Sequence, residues 1–168
     1  FSAYQAGAML VPGGVVLALV LLHAGRLADR LPENRVAMAG LACFALSAIL
    51  IGISGEGTGL WTLAIWVAVG RIGLGLVIPG LNAGALRLVP YGSEASGSAS
   101  INFFRQLGGA LGVTLIALFL ELRERQLGAV HGLQPMQEGF FVIAAVYAAA
   151  LIPAWRMSGP GNPARTRP

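Results

Sequence analysis

Five long apolar stretches, separated by short polar connections, organise this chain: approximately residues 6–23, 36–54, 60–82, 99–120 and 139–156. Each has the roughly 17 to 25 mainly apolar residues with which a helix crosses about 30 Å of hydrocarbon at about 1.5 Å per residue. The first, second and fifth are uncharged up to their ends, whereas the third holds Arg71 near its middle and the fourth holds Arg105 in its first turns. Between them lie a basic turn (23–35), a small Gly-rich turn (54–59), a polar loop (87–95) and a longer loop (121–138). The pattern predicts an all-α integral membrane chain of about five transmembrane helices over residues 1–157. Residues 158–168, rich in proline and glycine and without periodicity, are expected to be disordered.

Composition narrows the class. Hydrophobic residues make up 56% of the chain and charged residues only 11%, against roughly 25% charged in soluble domains, so a water-soluble domain is excluded and the main solvent is lipid. The net charge of +4 comes from eleven arginines, no lysine and seven acids. The arginines flank apolar spans, with no basic, aromatic-interleaved surface, so the charge reads as topology and not as nucleic-acid binding. Arg26, Arg30, Arg35, Arg87, Arg105, Arg156, Arg165 and Arg167 fall on one side of the membrane, Arg123 and Arg125 on the other. Arginine is retained on the cytoplasmic face, so the basic turn and the C-terminus are expected there, with Tyr4 and Trp61 near the outer interface and Tyr91 and Trp155 near the inner one. Cys43, the single cysteine, lies in an apolar run and offers no disulfide. The chain starts without Met or a basic leader region, so the first span does not read as a signal peptide, and a truncated N-terminus is expected.

Arg71 is the costly residue. An arginine at a helix centre costs about 2.5 to 3.5 kcal/mol on the insertion scale, so it is expected to face the bundle interior and meet a carboxylate, a backbone carbonyl or a cavity. Arg105, nearer a helix end, can also reach the headgroups. Small residues gather in the same spans, Gly70, Gly73 and Gly75 in the third and Gly108, Gly109 and Gly112 in the fourth, and predict close helix packing. Pro12 and Pro79 are candidate kinks that free backbone carbonyls.

The turn carries Gly25, Asp29 and Arg30 at the positions of the major facilitator loop motif G-x-x-x-D-R-x-G-x-R, with Pro32 in place of its second glycine and Arg35 one residue past the place of its final arginine. The run from Ala95 to Gly112, which includes Asn102, Arg105, Gln106, Gly108 and Gly109, resembles the A-S-G-x-x-N-x-x-R-Q-L-G-G-x-x-G segment of the EmrB/QacA-type drug:proton antiporters of the major facilitator superfamily. That resemblance covers nearly the whole chain. It implies that the five spans are the eighth to twelfth helices of a twelve-helix core, forming most of the C-terminal six-helix bundle of a fourteen-helix exporter in the bacterial cytoplasmic membrane. The seventh core helix and the N-terminal half would lie outside the chain and be its partners, together with the bilayer and a small-molecule substrate; a periplasmic adaptor stays open. It further implies a cytoplasmic gating latch at Gly25, Asp29, Arg30 and Arg35, and hinge or packing roles for Gly73, Gly75, Pro79, Gly108, Gly109 and Gly112. Cavity or cytoplasmic-end contacts would come from Asn82, Asn102, Phe103, Arg105 and Gln106.

No cofactor is expected beyond a proton gradient as energy source. A proton antiporter needs a membrane-embedded carboxylate, and Asp29, Glu33, Glu56, Glu94, Glu121, Glu124 and Glu138 all fall in loops or at span ends, so that group is expected outside this chain. An enzyme is not expected: His23 and His131 fall on opposite sides of the membrane, leaving no metal-ligand cluster, and Gly70-x-x-Gly73-x-Gly75 opens no βαβ unit. Two alternatives to drug export are a non-transporting five-span assembly module and the same fold exporting a metabolite or lipid.

Overall fold

A computed structural model of the chain describes residues 3–86, 89–90, 92–127 and 132–156. Five α-helices follow one another: α1 (Ala3–Arg30), α2 (Glu33–Gly52), α3 (Leu60–Leu86), α4 (Glu94–Leu127) and α5 (Gln134–Arg156). The tail predicted to be disordered, as well as Arg87 and Tyr91, lies outside the described residues. Among the described residues four helices are long and apolar enough to cross a membrane, over Asn34–Gly52, Leu60–Asn82, Glu94–Gln126 and Gln134–Arg156, and α1 adds a shorter apolar stretch, Val11–Ala24. The chain is an all-α integral membrane protein.

The helices outrun the apolar spans. α1 continues through the polar residues after His23 as far as Arg30, so the predicted turn of residues 23–35 contracts to Leu31 and Pro32. Pro32 accounts for the break. Its ring disfavours helical geometry at Leu31, and with ψ of 133° it leads into α2, where its carbonyl accepts from Arg35 and Val36. The α2–α3 turn is closed by Gly55 N–H donating to Thr58 Oγ1 at 3.0 Å, and by Thr58 N–H returning to the Gly55 carbonyl. Before α4, Gly92 adopts φ of 86°, which suits a residue without Cβ.

α3 is the centre of the bundle. It packs along α1 on one side and α2 on the other, and α2 in turn packs on α5, so the sequence neighbours α1 and α2 barely touch. The α2–α3 seam is built from small residues. A Cβ added at Gly40 would lie 2.8 Å from the Gly73 carbonyl oxygen, and one at Gly73 2.7 Å from the Gly40 oxygen, so the two backbones are in direct contact there. Ala37 meets Gly80 along the same seam, and Ser47 meets Gly70. Ser47 is buried and its hydroxyl donates to the Trp66 carbonyl at 2.8 Å. The buried apolar set is correspondingly small in side chain: Ala24, Val36, Ala37, Leu41, Ala48, Ala64, Ala144 and Ala154. In lipid, where burying apolar side chains gains little over leaving them in acyl chains, close backbone approach supplies the packing contacts. Trp61 and Trp155 are exposed near the start of α3 and the end of α5.

α4 is different. It contacts α3 and α5 only sparsely, and none of its apolar window is buried. Its C-terminal end is tied to α5, where Leu120 rests on Gly139 and Arg123 Nε donates to Glu138 Oε2 at 2.5 Å.

Candidate functional site

Arg71 projects from the middle of α3, and Gly13 of α1 makes room for its stem: a Cβ at Gly13 would meet Arg71 Cγ at 3.2 Å and Nε at 3.7 Å. The residue also lines a cavity of about 290 Å³ between α2, α3 and α5, with Phe44, Ser47, Phe140, Ile143 and Tyr147. The rings of Phe44 and Tyr147 stack there with centroids 4.7 Å apart. Among the described residues no carboxylate pairs with Arg71; the ion pairs found among them are Arg123–Glu138 and Arg125–Glu121. Of the three partners considered for this arginine, the structure places it at a cavity. The arrangement is a cation in a mainly aromatic and aliphatic recess that also carries Ser47 and Tyr147, able to attract an anionic or strongly dipolar group.

A second cavity, about 660 Å³, runs between α1 and α3 and is lined by aliphatic side chains and His23. Asn82, Asn102 and Phe103, expected as cavity or cytoplasmic-end contacts, line neither of these two, and nor does Pro79. Pro79 sits within an unbroken α3, half-buried, and Asn82 is partly exposed one turn further on.

The glycines divide into two groups. Gly73 and Gly75 meet the expectation of close packing: Gly73 abuts α2, and a Cβ at Gly75 would lie 2.5 Å from Val20 Cγ1 of α1. Gly108, Gly109 and Gly112 do not. A Cβ at any of them meets nothing within 4 Å, so the packing expected of them is absent among the described residues. A small-residue stripe produces close approach only where a helix faces it, and α4 is tied down at its other end. The same open stretch carries Asn102, Phe103, Arg105 and Gln106, all exposed. Arg105 Nη2 donates to Asn102 Oδ1 at 2.6 Å, and Phe103 meets Phe104 edge to face.

Of the latch residues, Gly25, Asp29 and Arg30 lie on the last two turns of α1, with side chains outside the described set, and Arg35 is exposed in the first turn of α2. The residues expected to form a latch thus sit on helix ends on either side of Leu31 and Pro32.

Sequence reasoning missed a polar clasp at the opposite end of the bundle. Gln137 Nε2 of α5 donates to the Ser54 carbonyl beyond α2 at 2.6 Å. Beside it Glu138 takes Arg123 from α4 and Gln134 from its own helix. The available signal was three long polar side chains, Gln134, Gln137 and Glu138, at i, i+3 and i+4 at the start of an apolar helix, where they share one face.

A family model described as the Major Facilitator Superfamily matches residues 1–113. Among curated relatives, the uncharacterized MFS-type transporter YcnB of Bacillus subtilis is 24% identical over 99% of this chain and 36% of its own length. The lincomycin resistance protein LmrB of Listeria monocytogenes is 24% identical over 81% of this chain and 29% of its own length. The methylenomycin A resistance protein of Streptomyces coelicolor is 23% identical over 93% and 32%. The chain therefore spans about a third of the length of the relatives it matches. No solved structure matches it.

Proposed function

The chain belongs to the major facilitator superfamily, and from that premise we propose that it supplies the eighth to twelfth helices of a twelve-helix core that exports lipophilic small molecules by proton antiport with alternating access. Two of the relatives above are named for resistance to lincomycin and to methylenomycin A, which supports export of foreign compounds over export of a metabolite or lipid. The membrane would be the bacterial cytoplasmic membrane, with the basic α1–α2 turn and the C-terminus in the cytoplasm.

The observation that carries this reading is the open stretch of α4. Asn102, Arg105 and Gln106 are uncovered beside a stripe of glycines. Polar side chains at membrane depth face protein or a water-filled cavity, because hydrocarbon leaves them unsatisfied. Helices beyond these 168 residues, those of an N-terminal half, would cover part of this face and leave part of it lining the transport path. The charges at Asp29, Arg30 and Arg35 would pair across the cytoplasmic entrance in one state of the cycle and separate in the other, biasing the two conformations. Arg71 would hold the centre of the C-terminal bundle positive, and the carboxylate that takes the driving proton would lie outside this chain.

The test is dye and drug efflux by the complete reading frame in a bacterial strain stripped of its own exporters, with and without a protonophore. Export that collapses with the proton gradient, and slows when Asp29 is replaced by Asn, is the expected result. Export indifferent to the protonophore, or none across a broad panel of lipophilic compounds, would overturn the reading.

A further inference from the structure

Arg71 stands midway along the apolar span Leu60–Asn82, about 16 Å from either end at about 1.5 Å per residue. That is beyond the reach of its side chain to either headgroup layer, so snorkelling does not satisfy it. Among the described residues it has neither a hydrogen bond nor an ion pair. Five guanidinium N–H donors at this depth call for an acceptor that carries charge. The stem is confined where it crosses Gly13 of α1, with Nε 3.7 Å from a Cβ built there, and the residue lines the recess of about 290 Å³ between α2, α3 and α5.

The walls of the recess decide which anion fits. Phe44, Phe140 and Tyr147 bring three aromatic rings to it. The Ser47 hydroxyl is committed to the Trp66 carbonyl and has no hydrogen left for an anion. Tyr147 makes no hydrogen bond among the described residues, so its hydroxyl still has one to donate. At about 30 Å³ per water the recess equals about ten waters, and it lies at the floor of the range of about 300 to 1,000 Å³ for drug-sized ligands. It has room for one ring and a carboxylate. A phospholipid headgroup is excluded by the depth of Arg71, and a bare inorganic anion would leave the aromatic walls without contact.

We propose that this recess binds a single-ring aromatic carboxylate. The two carboxylate oxygens accept parallel N–H donors from Arg71, and the ring packs against Phe44, Phe140 and Tyr147. The ligand joins α2, α3 and α5 at mid-depth, where Arg71 otherwise has no partner. None of the lining residues comes from α4, whose open stretch carries the export reading. The site is thus a ligand site within the bundle, and it stands whether or not export is found.

Tritiated benzoate is the probe, and its binding to the purified complete transporter is measured by equilibrium dialysis at neutral pH, where it is ionised. Arg71→Gln should weaken binding about tenfold or more, the loss expected of a charge-assisted pair. Ile143→Trp, which fills the recess and keeps Arg71, should weaken it to a similar degree. Competition on the unaltered protein makes the test independent of how the variants fold. Benzamide, the same ring without the charge, should displace benzoate at least about tenfold less well than unlabelled benzoate does. Cyclohexanecarboxylate, the same charge without the aromatic ring, should do so about two- to tenfold less well. A wild type that binds no benzoate, as when an acidic side chain of a further helix already holds Arg71, overturns the proposal. So does wild-type affinity in Arg71→Gln or Ile143→Trp, or a benzamide that competes as well as benzoate. Cyclohexanecarboxylate competing equally would overturn the assignment of an aromatic ligand.

Discussion

Replacing Gly40 with Ala tests whether backbone contact at the α2–α3 seam holds the bundle together. The new Cβ would fall 2.5 Å from Val77 Cγ2 and 2.8 Å from both the Gly73 oxygen and the Val77 nitrogen. Val77 Cγ2 can rotate away, but the other two atoms are backbone. Restoring ordinary contact at 3.4 Å from 2.8 Å requires the helices to part by about 0.6 Å, and a gap of that order forfeits roughly a quarter or more of each dispersion contact along the seam. The Ser47 hydroxyl, two helical turns from Gly40, would be drawn from the Trp66 carbonyl, at a cost of about 0.6 kcal/mol for an interhelical bond in lipid. Overpacking of this kind costs about 1 to 3 kcal/mol, while Ala in place of Gly returns up to about 1 kcal/mol of helix propensity. Gly14→Ala is the control that cancels the last quantity, because Gly14 of α1 is exposed with nothing within 4 Å of an added Cβ. Unfolding of the purified protein by SDS titrated into mild detergent, followed by tryptophan fluorescence, should place Gly40→Ala about 2 kcal/mol below Gly14→Ala. Two variants within about 0.5 kcal/mol of each other would refute the claim that backbone contact, and not general apolar character, joins α2 to α3.

Ser47→Ala should lower stability in the same titration by about 0.6 kcal/mol and no more than about 1.7; a larger loss would mean that the hydroxyl supports more than one contact. Glu138→Gln removes the ion pair that ties α4 to α5, so disulfide cross-linking between cysteines placed at Leu120 and Gly139, now in contact, should form more slowly than in the charged parent. An unchanged rate would show that Leu120 packing alone holds this end of α4. A Cβ at Gly109 meets nothing within 4 Å among the described residues, yet Gly109→Leu should abolish efflux by the complete transporter while leaving its expression unchanged, since the covering helices of the proposed transporter would be pushed away. Full efflux would mean that the glycine stripe faces open lipid.

Helices α2 to α5 were legible because their apolar runs are long enough to cross a bilayer, whereas the described apolar stretch of α1, Val11–Ala24, is shorter than the full span expected there. Their ends were not, because the drop in hydropathy marks where hydrocarbon stops, while the helix stops where backbone hydrogen bonding is interrupted. Those two boundaries differ by several residues at the end of α1. There the spans were drawn to His23, but the first residue unable to continue the ladder is Pro32. The error displaced chemistry as well as geometry: His23, read as part of a turn, is a helical residue on a cavity wall.

Glycines were legible as sites of close approach and not as pairs. Gly73 was singled out, but its partner Gly40 was not, because an isolated glycine in an apolar helix carries no mark of the helix it faces. For the same reason Gly108 and Gly112, four residues apart on one helix face, meet nothing among the described residues, while Gly40 and Gly73 are in contact. Arg71 was legible as a cost and not as a solution, since an acid, a carbonyl and a cavity were equal candidates until α2 and α5 were placed around it. A mechanical consequence follows for the latch. Asp29 and Arg30 stand on the last turn of a helix packed along α3, and Arg35 on the first turn of one packed along its other side. In the proposed export cycle, charge pairs made there would act on helix ends joined by two residues, and their closure would be passed to α1 and α2 along the contacts each makes with α3.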